Sequence, residues 1–230
     1  MKRKIVFLDP GHGGHDPGAL GPSGLKESNM ALDVCLRARD LLLPYCDVLL
    51  TREKDTFVSL SGRAKLANEG GADAFISYHF NSATSASVGL SFEGFTTRGQ
   101  NNSDRLCEAI LRNHGELLPE QVLRADRSDG DLDKEANFTV IRKANCPACL
   151  IEGEFIHTTH GERLISNPEK RQAMAQAVKL GVLEFFGISS AGFNDEDFDE
   201  AMESGGARPE VMEALAGIEW QVRKLRKFLE

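Results

Sequence analysis

No stretch of the 230 residues approaches the eighteen consecutive apolar positions that a membrane-spanning helix needs, so insertion into a bilayer is not expected. Positive charge is also scarce. Lys and Arg number 27 against 35 Asp and Glu, a formal net charge of −8, whereas nucleic-acid binding draws most of its affinity from clustered basic side chains. DNA and RNA are therefore not expected partners. The five cysteines (Cys35, Cys46, Cys107, Cys146, Cys149) are odd in number and scattered through apolar segments, which suits reduced, buried thiols better than a disulfide framework. Cys146 and Cys149 form a C-x-x-C pair, but an apolar strand-like run follows where a redox pair needs a helix N-terminus, so thiol chemistry is not expected.

What is present alternates. Ile5 to Asp9 reads as a buried strand and Ser28 to Pro44 as an amphipathic helix. Asp47 to Thr51 and Ala74 to His79 read as further strands around a helix from Ser59 to Glu69. Strands at Val88 to Phe95, Phe138 to Arg142 and Cys149 to Glu152 follow, with a helix at Ser103 to Gly115 and a closing helix from Asn167 to Phe186. The pattern predicts an α/β domain over residues 1–187, with one twisted, mostly parallel mixed sheet of about six strands covered by helices on both faces. Asp126 to Glu135 reads as the most flexible loop.

Residues 188–230 differ in character. They carry ten acidic and five basic side chains, net −5 of the total −8. From Pro209 to Glu230 an apolar seam of Val211, Leu215, Ile218, Val222, Leu225 and Leu229 recurs at heptad spacing, so this appendage is expected to be a helix that docks on the domain or pairs with a second copy.

The densest chemistry lies in "DPGHGGHDPGAL", residues 9 to 20, directly after the first strand. Its G-H-G-G-H-D order matches neither a dinucleotide fingerprint nor a P-loop, and no helix begins at once, so a phosphate cradle is excluded. A metal site fits better. His12 follows the first strand, His79 ends the third, and Glu27 opens the first helix, so all three can meet at one sheet edge. Two imidazoles and one carboxylate leave a coordination position open, as a hydrolytic zinc site requires. A general base is then needed. Glu152 at the end of the last strand is placed for it, although spacing alone does not separate it from Glu154.

"VFLDPGHGGHDPGALG", "LKES", "VLLTREKDTFVSLSGRAKLAN", "FISYHFNS" and "PACLIEGEFI", in this order over residues 4–187, resemble the zinc-dependent N-acetylmuramoyl-L-alanine amidases of the third amidase class. The resemblance implies one Zn2+ held by His12, Glu27 and His79, Glu152 as catalytic glutamate, and peptidoglycan as substrate, cut between the lactyl group of muramic acid and the first L-alanine. Glu154 departs from the family, where glycine is frequent, and is expected to face solvent. Family members held inactive by an inserted helix carry it after the second histidine motif; Ser82 to Ser91 is too short for one, so an uninhibited form is expected. Asn81, Arg63 and His15 are candidates for shaping the site or touching substrate, whereas His157 and His160 read as surface-loop residues.

Only Ile5 to Leu8 are apolar between the basic start and Asp9-Pro10, too few for a secretory core. Synthesis in the cytoplasm without a signal peptide and action on the wall after host lysis, as a phage endolysin, is the expected setting. A bacterial autolysin or sporulation amidase is the alternative, and a silent wall-binding module is the reading from another class.

Overall fold

The computed structural model describes residues 2–83 and 89–189. The expected appendage from 190 onward, with its heptad seam, lies outside the described residues, as does part of the Ser82 to Ser91 segment.

The strand β1 (Ile5–Pro10) is buried along its whole length, with α1 (Glu27–Leu42), β2 (Asp47–Leu50), α2 (Leu60–Glu69) and β3 (Ala74–Asn81) following in turn. Then come β4 (Ser91–Thr96), α3 (Asn102–Leu117), the two-residue strands β5 (Val122–Leu123) and β6 (Lys134–Glu135), α4 (Thr139–Arg142), β7 (Ala148–Phe155), α5 (Thr159–Ser166) and α6 (Pro168–Phe186). They build one seven-stranded sheet in the order β2-β1-β3-β7-β4-β5, with β6 also pairing β4. The pairs β2-β1, β1-β3 and β3-β7 are parallel, while β4 runs antiparallel to β7. This is the mixed α/β sheet expected.

Alternation along the strands divides the core in two. Val6, Leu8, Ile76, Tyr78, Cys149 and Ile151 face the layer of α1, α3 and α6. Ile5, Phe7, Phe75 and Leu150 face the opposite way, against Ala67 of α2 and Val140 and Ile141 of α4. A sheet covered on both faces needs strands apolar at every position, which is why β1 reads as a continuous run and not as an alternation.

Two expectations need correction. Phe138 to Arg142, read as a strand, is one helical turn, α4, closed by a hydrogen bond from Arg142 N to Phe138 O of 3.0 Å. Its β-branched residues favour a strand in isolation, but burying the adjacent pair Val140 and Ile141 on one side requires a helical turn. The segment after β7 holds a helix, α5, where a surface loop was expected; the Thr158 hydroxyl caps it by accepting from Gly161 N at 2.9 Å.

The helices α3 and α6 touch closely at Gly181, where an added Cβ meets Ile110 Cγ1 and backbone N at 2.6 Å. Gly181→Ala is expected to lower stability by about 1–3 kcal/mol in urea unfolding. Gly115, whose Cβ meets only Phe92 at 3.5 Å, provides the contrast: Gly115→Ala should gain about 0.5–1 kcal/mol.

Candidate active site

The loop leaving β1 is held by its carbonyl groups. Arg63 Nη1 and Nη2 donate to Pro10 O and His12 O, both at 2.6 Å, and Arg52 donates to Pro10 O at 3.0 Å and Gly11 O at 2.7 Å. Arg52 also reaches Ser28 O of α1 at 2.7 Å, tying the loop to that helix. Both guanidinium groups are buried, and Arg63 pairs with the fully buried Asp9 at 2.8 Å. Asp9 accepts further from Thr51 Oγ1 at 2.5 Å and Ser77 Oγ at 2.7 Å.

Held in this way, His12 adopts a left-handed φ of 59°, a conformation that costs a non-glycine residue about 1–3 kcal/mol and needs surroundings that impose it. The turn aims its Nε2 at Glu27 Oε1, 3.1 Å away. His79 Nδ1 reaches the same oxygen at 2.9 Å from β3. Glu27 Oε1 also accepts Phe80 N at 3.2 Å and Oε2 accepts Ala19 N at 2.8 Å, so the carboxylate is fixed from both sides. Gly11 and Gly18 are required here: a Cβ on Gly11 overlaps the His79 ring, and one on Gly18, at φ 68°, stands 2.6 Å from His12 Cδ2.

His12, Glu27 and His79 therefore offer one ligand atom each, all within 4.8 Å of one another. Around a single tetrahedral zinc, donor atoms stand about 3.3 Å apart. The contacts on Glu27 are already close to that spacing, and the donor set fits such an ion. Asp16 adds the support that metal-bound imidazoles usually have: its Oδ2 lies 2.8 Å from His12 Nδ1, which leaves Nε2 free to ligate. Sequence reasoning passed over Asp16, although its place four residues after His12 is the available signal. Burial raises the Glu27 carboxyl, but bonds to His12 and His79 outweigh this and hold it well below the usual carboxylate range. Burial lowers the His12 imidazole, and Glu27 and Asp16 reverse that into a net rise.

Glu152 stands directly across β3 from His79 and across β4 from Glu93. Its Oε2 is enclosed without a hydrogen-bond partner. Burial, then the charges of Glu27 and Glu93, push its carboxyl well above the ordinary value. Glu93 itself pairs with Lys134 and with Arg124 at 3.2 Å, and accepts a hydrogen bond from Asn81. Asn81 thus acts on the Glu93 side and is not part of the His12 cluster.

Glu154 does not face solvent. It is fully buried, accepting from Phe155 N at 2.7 Å, Ser91 N at 3.2 Å and Gln121 Nε2 at 2.8 Å. On an unbroken strand, residues 152 and 154 share a face, but the β3-β7 register shifts so that His79 and Asn81 pair with Glu152 and Phe155. The extra residue in β7 turns Glu154 away from Glu152. His15 is exposed and packs at a tilt on Phe57 with ring centroids 4.1 Å apart, outside the ligand cluster. His157 is half-buried, with its Nδ1 3.3 Å from Ala83 N, and His160 is exposed in α5. All five cysteines are free, and burial pushes the Cys146 thiol up to about 11, the opposite of a redox thiolate.

With this geometry in place, residues 6–184 match the Amidase_3 family, described as N-acetylmuramoyl-L-alanine amidase. The chain belongs to that family. The chain is 34% identical over 186 residues to the sporulation-specific N-acetylmuramoyl-L-alanine amidase of Bacillus subtilis, covering 80% of this chain and 68% of the relative. It is 30% identical over 225 residues to AmiC of Neisseria meningitidis, covering 82% of this chain but spanning only 54% of that relative's length. An endolysin of Bacillus phage SPP1 is 28% identical over 187 residues, covering 80% of this chain and 67% of that protein. Among solved structures, the catalytic domain of CwlV from Bacillus (Paenibacillus) polymyxa superposes with a TM-score of 0.71 at 28% identity, covering 81% of this chain and 99% of that domain.

Two outcomes test the electrostatics of the amidase site. Arg63→Met leaves Asp9 buried without its counter-charge and should cost about 3–5 kcal/mol in chemical denaturation. Glu152 has a raised folded-state pKa, so the folded protein keeps a proton that the unfolded one releases above about pH 4.5, and stability falls as pH rises. In chelator-treated protein, the Tm advantage of Glu152→Gln over the parent should therefore widen from pH 5 to pH 8; a pH-independent difference contradicts the assignment.

Proposed function

We propose that the chain hydrolyses the amide between the lactyl group of N-acetylmuramic acid and the first L-alanine of peptidoglycan, using a zinc ion held by His12, Glu27 and His79. The convergence of two imidazoles and a carboxylate beside the unpartnered Oε2 of Glu152 is the observation that carries this reading. Zinc bound there supplies a Lewis acid that polarises the carbonyl and makes water more acidic. Glu152 takes the proton of the attacking water and returns it to the alanine nitrogen as the carbon–nitrogen bond breaks, leaving a free lactyl carboxyl and a new amino terminus. Its raised pKa, set first by burial and then by the charges of Glu27 and Glu93, strengthens it as a base once ionised. Asp16 fixes the His12 ring, and Glu27 stays ionised over the working pH range.

The setting we propose is that of an endolysin made in the cytoplasm and acting on the wall at lysis. Free thiols suit synthesis in a reducing compartment, and a phage endolysin is among the relatives. Among the described residues no helix is long and apolar enough to cross a membrane.

Purified protein incubated with bacterial cell walls should generate new N-terminal L-alanine, lose this activity on chelation and recover it with zinc. Glu152→Gln should lower the rate by about 10²–10⁴-fold while zinc content stays at one per chain. Release of reducing sugar without N-terminal alanine would overturn the reading.

A further inference from the structure

A second group of acidic side chains shares no residue with the His12 cluster. Asp104 at the start of α3 and Asp131 and Asp133 in the loop before β6 each offer an oxygen within 4.8 Å of the others. All three are buried, at 5%, 8% and 3% exposure. Three carboxylates packed this closely out of water must be neutralised.

The surrounding donors fall short. Gln100 Nε2 serves Asp131 Oδ2 at 2.7 Å, and the backbone N–H of Asn101 serves Asp104 Oδ2. Thr96 Oγ1 lies 3.0 Å from Asp104 Oδ1 and 2.6 Å from Asp133 Oδ2, yet one hydroxyl has one proton to give. Asp131 Oδ1 and Asp133 Oδ1 are enclosed and meet no donor at all. Nearby cations are engaged elsewhere, Lys134 and Arg124 on Glu93 and Arg98 on Glu135. Burial, with Asp131 and Asp104 alongside, pushes the Asp133 carboxyl up to about 7, another sign of the same missing positive charge.

We propose that Asp104, Asp131 and Asp133 form a calcium site, independent of the hydrolytic reading. The donor set is all oxygen and triply charged, with neither imidazole nor thiolate, so it selects a hard cation over zinc. Opposite oxygens around Ca2+ stand about 5 Å apart, so three oxygens within 4.8 Å of one another can share one such ion. Waters complete the coordination. The ion fastens the loop that was expected to be flexible onto β4 and the start of α3. Its effect reaches the active edge because Lys134, next to Asp133, binds Glu93, the cross-strand neighbour of Glu152.

The test is calcium titration of the full chain, stripped by chelation and dialysed, read by calorimetry and thermal unfolding. One Ca2+ per chain is expected, with Tm rising by about 5 °C or more at a hundredfold excess over Kd. An Asp131→Asn, Asp133→Asn double variant should bind Ca2+ at least tenfold more weakly, and without calcium it should melt no lower than the parent, since carboxylate repulsion is relieved. If the double variant does not fold, Asp131→Asn alone gives the same readout. His12→Ala should keep the full calcium response, which separates this site from the zinc one. The proposal is overturned if the parent shows neither heat nor a Tm shift up to about 10 mM Ca2+, or if the aspartate variants respond as the parent does.

Discussion

The buried pair of Arg63 and Asp9 holds the rest of the site in place. Placing a guanidinium and a carboxylate out of water costs several kcal/mol per ion, and attraction alone seldom offsets it unless the remaining donors and acceptors are satisfied. Here they are. Asp9 has Thr51 and Ser77 in addition to Arg63, and Arg63 uses its other N–H groups on the carbonyls of Val58, Pro10 and His12. An apolar pair of similar volume could fill the space, but it could not hold the carbonyls of Pro10 and His12 at the end of a strand. The pair's contribution is therefore positional: it imposes the left-handed turn that presents His12 to Glu27.

Glu152 is held by a different device. The bulge in β7 separates two carboxylates that strand geometry would otherwise bring together, and buried polar groups fix its far side. Gln121 donates to Glu154 and to Gly153 O at 2.8 Å, and its Oε1 accepts from His114 Nε2 at 2.8 Å. His114 stacks on Phe92, and burial lowers its pKa to about 4, so it is neutral at physiological pH. Glu152 is left with an enclosed oxygen that no protein group satisfies, which raises its basicity, while the partners of Glu154 remove that residue from the chemistry.

Much of this could be read in the sequence because it is local. Buried parallel strands appear as continuous apolar runs, and the β1-α1-β2-α2-β3 order follows from periodicity alone. His12, Glu27 and His79 each sit at the end or the start of an element, where open sheets gather their ligands, so their meeting was foreseeable. Two misreadings, unlike that of the locally capped α5, are non-local. Phe138 to Arg142 has strand-forming residues and becomes helical through contact with the second face of the sheet. Glu154 looks exposed because the bulge that buries it depends on how β3 pairs with a strand about seventy residues later. Arg52 and Arg63 look like ordinary helix-flanking charges until the fold surrounds them.

The same constraint explains why the molecule treats its buried charges differently. Asp9 and Glu93 meet arginine or lysine, and the chain supplies each counter-charge from a neighbouring element. Glu27 meets two imidazoles, partners that can exchange its oxygen for a metal without leaving a charge stranded. Asp131 and Asp133 meet a hydroxyl and an amide, which accept or donate but carry no charge, so neutralisation there has to come from a proton or from a cation taken up from solution. Permanent counter-charges thus stand where geometry must not change, whereas Glu27, Asp131 and Asp133 have partners that carry no fixed charge.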